Sequence, residues 1–457
     1  MLKLSKLQNT LLGYFLVILI VFNLFITLNT LGAKTKIDLS VLVITVVNLI
    51  FAIICFLRST SFTENRFGLS LYWLFQIIFF GMTSISLYYD SMPYILARLV
   101  SEPDHLLAQI LILISNIAFY VGTNFKINLI YSKKIVIYRF NSRSGATRLL
   151  FLTFFYYLLL LPLLDIRGGL DSVINETRFQ AALATNTGSI FYIVGAFLKV
   201  SPLVLALVAL NYWLINRNRT LLLVVVLCIP IMLIFANPLI APRSVTLFYI
   251  LPFITLTVQQ GKISSRLALV FLYLVTIFST NIFDRFTGRF EIKSTGILSK
   301  SGDFDAYSQL LNGLALQEIN FFSPLKQFSG SLLFFIPRSV WAGKPRDTGA
   351  VIADYFGQKF QNLSAPLNLE IYISFGFFGL IIFFALFGLW MRKIEKLSFY
   401  SVRHAITVQI FSGLFFIVLR GSLLQITGML VFSIVFFLFI MRLISVREIV
   451  GRESTQV

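Results

Sequence analysis

The chain has 457 residues, of which 58% are hydrophobic, with a mean hydropathy of +0.87 and a formal charge of +19. Such a composition excludes a water-soluble globular protein. Apolar runs of about 17–25 residues recur from end to end, and that is the length a helix needs to cross a bilayer.

In chain order the runs are 11–31, 39–57, 68–89, 104–123, 149–164, 188–213, 220–237, 243–259, 266–282, 370–391, 401–419 and 422–441. The first follows Lys3 and Lys6 in the manner of a secretory leader, but it is too long and no convincing cleavage site follows, so it reads as a retained helix. The expected fold is an all-α polytopic integral membrane protein with about 12 transmembrane helices. Residues 1–282 carry spans one to nine and an enlarged outer loop at 165–187. A far larger outer loop follows at 283–369, and 370–457 carry spans ten to twelve and a tail. With the N-terminus in the cytoplasm, the cationic excess falls on the inner loops and the outer loops are close to charge balance. Both termini are then cytoplasmic, and the pI of about 9.9 marks topology, not a nucleic-acid partner. The inner loop 124–148 reads as a basic stretch facing lipid. Cys55 and Cys228 fall within spans, so no disulfide framework is expected outside. His105 and His404 sit at opposite boundaries, so no metal site is expected, and no cofactor motif occurs.

A loop as long as 283–369 is either functional or disordered. Its aromatic residues, among them Phe304, Tyr307, Phe321, Trp341 and Tyr355, favour a folded lid on the outer membrane surface. Within it, Ser331 to Ile336 is too short to span and is expected to dip into the interface until Pro337 stops it. Asp347 is placed to cap a helix in which Val351, Ile352, Tyr355, Phe356 and Phe360 recur at helical spacing.

The segment between Pro337 and Asp347 packs Arg338, Lys344 and Arg346 into a short stretch stiffened by Pro345. Such cations suit a phosphate-bearing ligand, since a guanidinium grips phosphate oxygens as a fork. The competing reading is a basic loop lying on anionic head groups. Arg243 enters span eight after a tight outer turn, and Arg420 stands in the turn between spans eleven and twelve. With Arg167 and Arg178 of the first enlarged loop, and Arg338, they would form a ring around an outward cleft; contact with lipid phosphate is the simpler alternative. Lys199 lies deep in span six, where a charge costs roughly 2.5–3.5 kcal/mol, so it is expected to face a polar cavity. Asp303, Asp305, Glu318, Asp347 and Asp354 read mainly as partners of loop cations. Glu370 opens span ten at membrane depth, which suits either a proton acceptor of raised pKa or a salt bridge with one of the arginines. Asp305 and Asp347 compete with it for the accepting role.

Three local patterns carry a family resemblance. Residues 337–345 read Pro-Arg-x-x-Trp-x-x-Lys-Pro, and ten residues separate Arg338 from Gly349. Residues 370–379 read Glu-x-Tyr-x-x-Phe-Gly-x-x-Gly, and Arg243 begins a span after a short outer turn. In these features and in its layout the chain resembles the bacterial O-antigen and capsular polysaccharide polymerases of the Wzy type. One departure is that the first enlarged loop, where the family often repeats the Arg–Gly spacing, has Arg178 at that distance from Arg167, with Gly188 one position early.

The resemblance implies a metal-independent, polyprenyl-using membrane glycosyltransferase with a GT-C-like helical fold, without a cofactor, in the bacterial inner membrane. Its substrates would be oligosaccharide repeat units on undecaprenyl diphosphate, presented at the periplasmic face for O-antigen or capsule synthesis. The growing glycan would leave its carrier and join the non-reducing end of a new lipid-linked unit. In that role Arg338 and Arg243 would act at the reacting centre with Glu370 or Asp305, while Arg178, Arg167, Lys199, Lys344, Arg346 and Arg420 would hold the diphosphate. Membrane lipid, a chain-length regulator and a flippase would be its partners. An O-antigen ligase shares the architecture, but ligases tend to use a histidine in the large outer loop, and 283–369 has none. A lipid-oligosaccharide flippase would need charges spread through several helices, whereas Lys199 alone is intramembrane in this layout.

Overall fold

The computed structural model describes residues 2–31, 39–60, 66–89, 102–125, 136–140, 142–166, 189–237, 243–286, 304–358 and 363–449. Arg167, Arg178, Asp303 and Phe360, expected at the outer face, lie outside the described residues. The long apolar runs are helical throughout: α1 (Leu2–Leu31), α2 (Leu39–Ser59), α3 (Phe67–Phe75) and α4 (Thr83–Tyr89), joined by a π-helical turn over Gln76–Met82. They continue as α5 (Glu102–Asn124), α6 (Ser142–Ile166), α7 (Ser189–Asn216), α8 (Arg219–Ala236), α9 (Arg243–Gln259) and α10 (Ser265–Phe286). Three shorter helices form the lid: α11 (Ala306–Glu318), α12 (Lys326–Leu332) and α13 (Thr348–Tyr355). The last spans are α14 (Leu367–Ser398), α15 (Val402–Arg420) and α16 (Leu423–Ile444).

Among the described residues nine helices are long and apolar enough to cross a membrane. The expected first, eighth and ninth spans are helices too, with shorter apolar stretches at Thr10–Phe22, Arg243–Gln259 and Ser265–Thr276. Rows of large apolar side chains are exposed, including Phe22, Ile50, Ile54, Phe151, Phe154, Leu233, Phe378 and Ile382. In water so much contiguous apolar surface would drive aggregation; against lipid tails it costs nothing. The span running from Phe67 through Leu87 is instead wholly buried and forms the middle of the bundle.

Lipid supplies no hydrophobic drive between helices, so close backbone approach and internal hydrogen bonds hold the bundle. The largest helix pair, α5 on α14, shows the first device. A Cβ on Gly122 would come within 2.0 Å of the Ala385 carbonyl oxygen, and one on Gly388 within 2.3 Å of that of Phe119. The second device is a set of buried side-chain bonds: Tyr72 donates to Asn116 (2.9 Å), Asn48 to Gln109 (2.8 Å), and Gln409 joins Asn211 to Gln259.

Two features depart from the expected layout. The chain is not purely helical: Val136–Phe140 (β1) and Ser445–Ile449 (β2) pair antiparallel, with Tyr138 opposite Arg447. Part of the inner loop thereby docks on the segment following α16, where lipid contact alone was expected, and Arg148 adds a bond to the Leu443 carbonyl (2.7 Å). The second departure is in α14, where Gly376 has φ 65° and ψ −162°, so this span is two helical segments meeting at a break.

Candidate functional site

The lid is pinned to the membrane bundle at one turn, Arg420-Gly421-Ser422, between α15 and α16. Arg420 donates from Nε (3.2 Å) and Nη2 (2.9 Å) to Asp305 Oδ1, at the start of α11. The backbone amide of Ser364 donates to Asp305 Oδ2 (3.0 Å), its hydroxyl to Oδ1, and the Arg420 carbonyl accepts from Ala365 N–H (3.0 Å). Two residues on, the Ser422 hydroxyl donates to Glu370 Oε1 (2.9 Å), and the Leu423 amide reaches the same oxygen (3.3 Å). The first N–H groups of a helix lack internal partners, and a carboxylate beside them satisfies both hydrogen bonding and dipole. Glu370 is 1% exposed, and the side chain of Thr348 also hydrogen-bonds it.

The salt bridge considered for Glu370 is therefore replaced by a helix N-terminus and two hydroxyls. Arg420, the arginine nearest in the chain to Ser422, pairs with Asp305 instead, because Glu370 of α14 meets the start of α16 while Asp305, at the start of α11, meets the end of α15.

Asp347 completes the network from the lid side. It caps α13 as expected, accepting from Gly349 N–H (2.9 Å), and its carboxyl lies within reach of the Ser422 hydroxyl, whose one proton it shares with Glu370. Burial pushes its carboxyl above the usual carboxylate range; the bonds from Ser422, Gly349 and Ala350 and the charge of Arg346 act the other way. Ser422 thus stands between Asp347 and Glu370, and Arg420 beside Asp305. The result is three carboxyls and one guanidinium, all serving one turn.

The basic segment has a different character from the one its composition suggests. The two Nη atoms of Arg338 donate to the carbonyls of Lys344 (2.7 Å) and Pro345 (2.9 Å). Lys344 Nζ in turn donates to those of Phe334 (2.7 Å) and Ile336 (2.8 Å). These charge-assisted bonds interlock residues 334–345 into a rigid hook. Burial, and then the charge of Arg338, push the Lys344 ammonium below the usual lysine range. Arg346 pairs with Asp354 at 2.5 Å in an open setting, 49% and 38% exposed. The cations drawn together by the sequence are close in space, yet the fork of Arg338 is engaged with backbone. Ser331 to Ile336, expected to dip into the membrane interface, ends α12 and turns, with Phe334 against Phe432 of α16 at 6.1 Å between ring centroids and Leu332 and Phe335 exposed.

Helix register carries Arg243, Lys199 and Arg420 towards the same end of the bundle. Gly413 of α15 packs on Phe248 and Pro252 of α9, and Thr255 bonds Ser412, so the two helices run antiparallel. At 1.5 Å per residue Arg243 lies about 7 Å above that contact and Arg420 about 10 Å, which brings both to the lid end at nearly one level. Tyr249 of α9 donates to the Lys199 carbonyl (2.6 Å), placing half-buried Lys199 one to two turns below Arg243. Phe432 touches Phe197 of α7 as well as Phe334, so the hook, α7 and α16 adjoin.

Sequence reasoning missed the hydroxyls of Thr348, Ser364 and Ser422 that join the acids. Ser422 has a signal, a serine immediately before an apolar helical run; the other two have none. It also missed the pairing of His105 Nδ1 with the Tyr307 hydroxyl (3.0 Å), which anchors α11 on α5. Among the described residues no group of acids, cysteines and histidines could hold a metal ion. Compared with protein families, with curated proteins and with solved structures, the chain shows no significant match.

Proposed function

We propose that this protein is a membrane glycosyltransferase that joins oligosaccharide repeat units carried on undecaprenyl diphosphate, at the periplasmic face of the bacterial inner membrane, with twelve spans and a GT-C-like arrangement. The observation that supports it most is the network under the lid, in which Asp305, Asp347 and Glu370 converge with Arg420 on one turn, on the same end of the bundle as Arg243 and Lys199. The reaction needs two things at one place: cations for the departing diphosphate and a carboxyl for a proton.

In the transfer, a hydroxyl oxygen of the acceptor sugar bonds to the anomeric carbon of the growing chain. The anomeric carbon–oxygen bond breaks, and its electron pair leaves on the diphosphate. Fixed cations in a site sheltered from water stabilise that developing charge, and Arg243, Arg420, Lys199 and Arg346 fill this role, with Arg167 and Arg178 joining from the first enlarged loop. The hydroxyl proton goes to a carboxyl. Glu370 is the acceptor, linked through Ser422 to Asp347. Asp305 is committed to Arg420 and Ser364 and positions the cation. Arg338 and Lys344 hold the hook from which Arg346 projects.

A strain lacking the gene decides the matter. Its surface glycan, resolved on gels, should show lipid cores capped with single repeat units; complete loss of caps would indicate a ligase or flippase, and unaltered ladders would remove the reading. Restoring the gene with Glu370→Gln should leave long chains reduced about 10²–10⁴-fold in rate, the usual effect of losing a general base.

A further inference from the structure

The hook and the helix before it lie on the lipid side of the bundle. On α16, Gly428, Phe432, Val435 and Phe439 recur at helical spacing and share one face. The half of that face far from the lid is bare, with Val435 and Phe439 56% and 51% exposed, and it is lipid-facing surface. The half nearer the lid is covered by the hook. The Phe334 ring lies on Phe432 (6.1 Å between centroids) and 3.7 Å from where a Gly428 Cβ would be. The next span is covered in the same way: Phe328 of α12 meets Phe375 of α14 at 4.8 Å, beside the exposed row of Phe378, Ile382 and Leu386. A segment laid over the lipid-facing rows of two spans turns its own outer side to what surrounds those rows. That outer side is apolar: Leu332, Phe335 and Val340 are exposed, the last at 77%.

Depth selects the occupant. Arg442, in the last turn of α16, marks the boundary far from the lid. From Arg442 back to Phe432 the helix rises about 15 Å, and to Gly428 about 21 Å. The hydrocarbon layer is about 30 Å thick, so Phe334 lies about 9–15 Å inside it on the lid side. Measured the same way from Arg392, Phe375 lies about 26 Å along α14. The chain therefore descends from Phe328 to Phe334 and climbs back to Thr348, whose amide donates to the Ser422 hydroxyl at the outer turn (3.4 Å).

The polar atoms of the hook suit that depth. No water satisfies an irregular backbone in hydrocarbon, so its carbonyls need donors from the chain itself. Those of Leu333, Pro337 and Trp341 accept from amides inside the hook. Those of Phe334, Ile336, Lys344 and Pro345 accept from Lys344 and Arg338. Lys344 is 8% exposed, so its charge is screened from lipid. Arg338 is exposed, but its fork ends at Pro345, which packs on Gly330, a turn nearer the lid than Phe334. That returns its charge towards the head groups. We propose that residues 331–345 form a re-entrant segment immersed in the lid-side leaflet, with phospholipid acyl chains against Leu332, Phe335 and Val340. Lipid is then a second hold on the lid, beside the ion pair at Arg420, and this rests on the membrane fold and not on the polymerase reading.

The test places nitroxide labels on the full chain in phosphatidylglycerol nanodiscs, one each at Leu332→Cys, Phe335→Cys and Val340→Cys. Cys55 and Cys228 stay in place, since both are buried. Ile50→Cys, exposed in the middle of α2, is the lipid reference, and Lys262→Cys, in an exposed turn, is the water reference. Power saturation should show all three hook labels open to oxygen and closed to a water-soluble nickel chelate, as at Ile50. Nickel accessibility matching Lys262 overturns the immersion. Labels closed to both reagents overturn it too, since another protein surface, such as a second copy of the chain, would then cover the hook. Phe335→Asp, which drives a charge into hydrocarbon, should raise cleavage within 334–346 about tenfold or more. Cleavage within threefold of wild type would contradict the proposal. The labels replace exposed side chains, so they decide the matter even where the aspartate variant fails to fold.

Discussion

Arg420→Ala tests the ion pair that pins the lid. The Asp305 carboxylate is 1% exposed, against 19% for the Arg420 side chain, so truncating the arginine strands a buried charge held by the amide and hydroxyl of Ser364. Breaking a buried pair from one side costs about 3–5 kcal/mol. Partial exposure of Arg420 admits water to the stranded carboxylate and places the cost near the lower end, about 3 kcal/mol. At 1.36 kcal/mol per decade that raises the opening equilibrium of the lid about 100-fold. Limited proteolysis of residues 304–358 in nanodiscs reads this directly when opening and closing are fast relative to cleavage. Asp305→Ala in the same background removes the stranded charge, so the double variant should open less than the two single effects combined predict, with a coupling of about 1 kcal/mol or more. Cleavage of Arg420→Ala within threefold of wild type, or strict additivity, would refute the pinning.

Arg346 and Arg338 separate ligand contact from lid structure. The Arg346–Asp354 pair is exposed and worth about 0–1 kcal/mol, so Arg346→Ala should leave lid proteolysis unchanged while lowering polymerisation about tenfold or more; unaffected ladders would limit that cation to its helix. Arg338→Ala should accelerate cleavage within 334–346, since two backbone carbonyls lose a charged donor, and Arg338→Lys should rescue little because one ammonium cannot replace the fork; full rescue by lysine would contradict the hook geometry. Asp347 carries a pH signature. Its folded-state pKa lies above the ordinary carboxylate value, so the folded lid holds this proton more tightly, and the stability it contributes is complete in acid and lost as pH rises through the raised value. Asp347→Asn keeps the cap and should flatten that dependence, whereas Asp347→Ala should cost about 1 kcal/mol at every pH; parallel pH curves for wild type and Asn would disprove the link. Reporter fusions after residues 175 and 320 should score periplasmic and those after 135 and 395 cytoplasmic, and a cytoplasmic score at 320 would reverse the orientation.

Much of the fold was legible in the sequence because hydropathy is a local property. A run such as Leu39–Ser59 or Leu423–Ile444 must be helical in lipid, whatever its neighbours are, since no water satisfies its backbone. The Asp347 cap was legible for the same reason: its acceptor and the Gly349 donor are two residues apart. The aromatic content of 283–369 pointed to folded structure there, and residues 304–358 contain three helices.

Partnership among charges was not legible. Arg338, Lys344 and Arg346 drew attention as neighbours in sequence, yet the first two close on carbonyls of their own hook, because a loop that short returns its backbone to within reach of its side chains. Arg420 and Asp305 are 115 positions apart, and Glu370 lies 52 from Ser422. These pairs exist because α11 and α14 are carried to one turn by packing that begins elsewhere, at the glycine contacts of α5 with α14 and at His105 with Tyr307. The break at Gly376 is an intermediate case: the motif Phe-Gly-Phe-Phe-Gly was visible, but a glycine in an apolar run is compatible with an unbroken helix, and only the lid residues packed opposite make the left-handed backbone the wall of a cavity. Composition and periodicity thus marked which segments form helices long and apolar enough to cross a membrane, a matter between each segment and its solvent. Which acid meets which cation depended on the distances between segments, which exist only once the chain has packed.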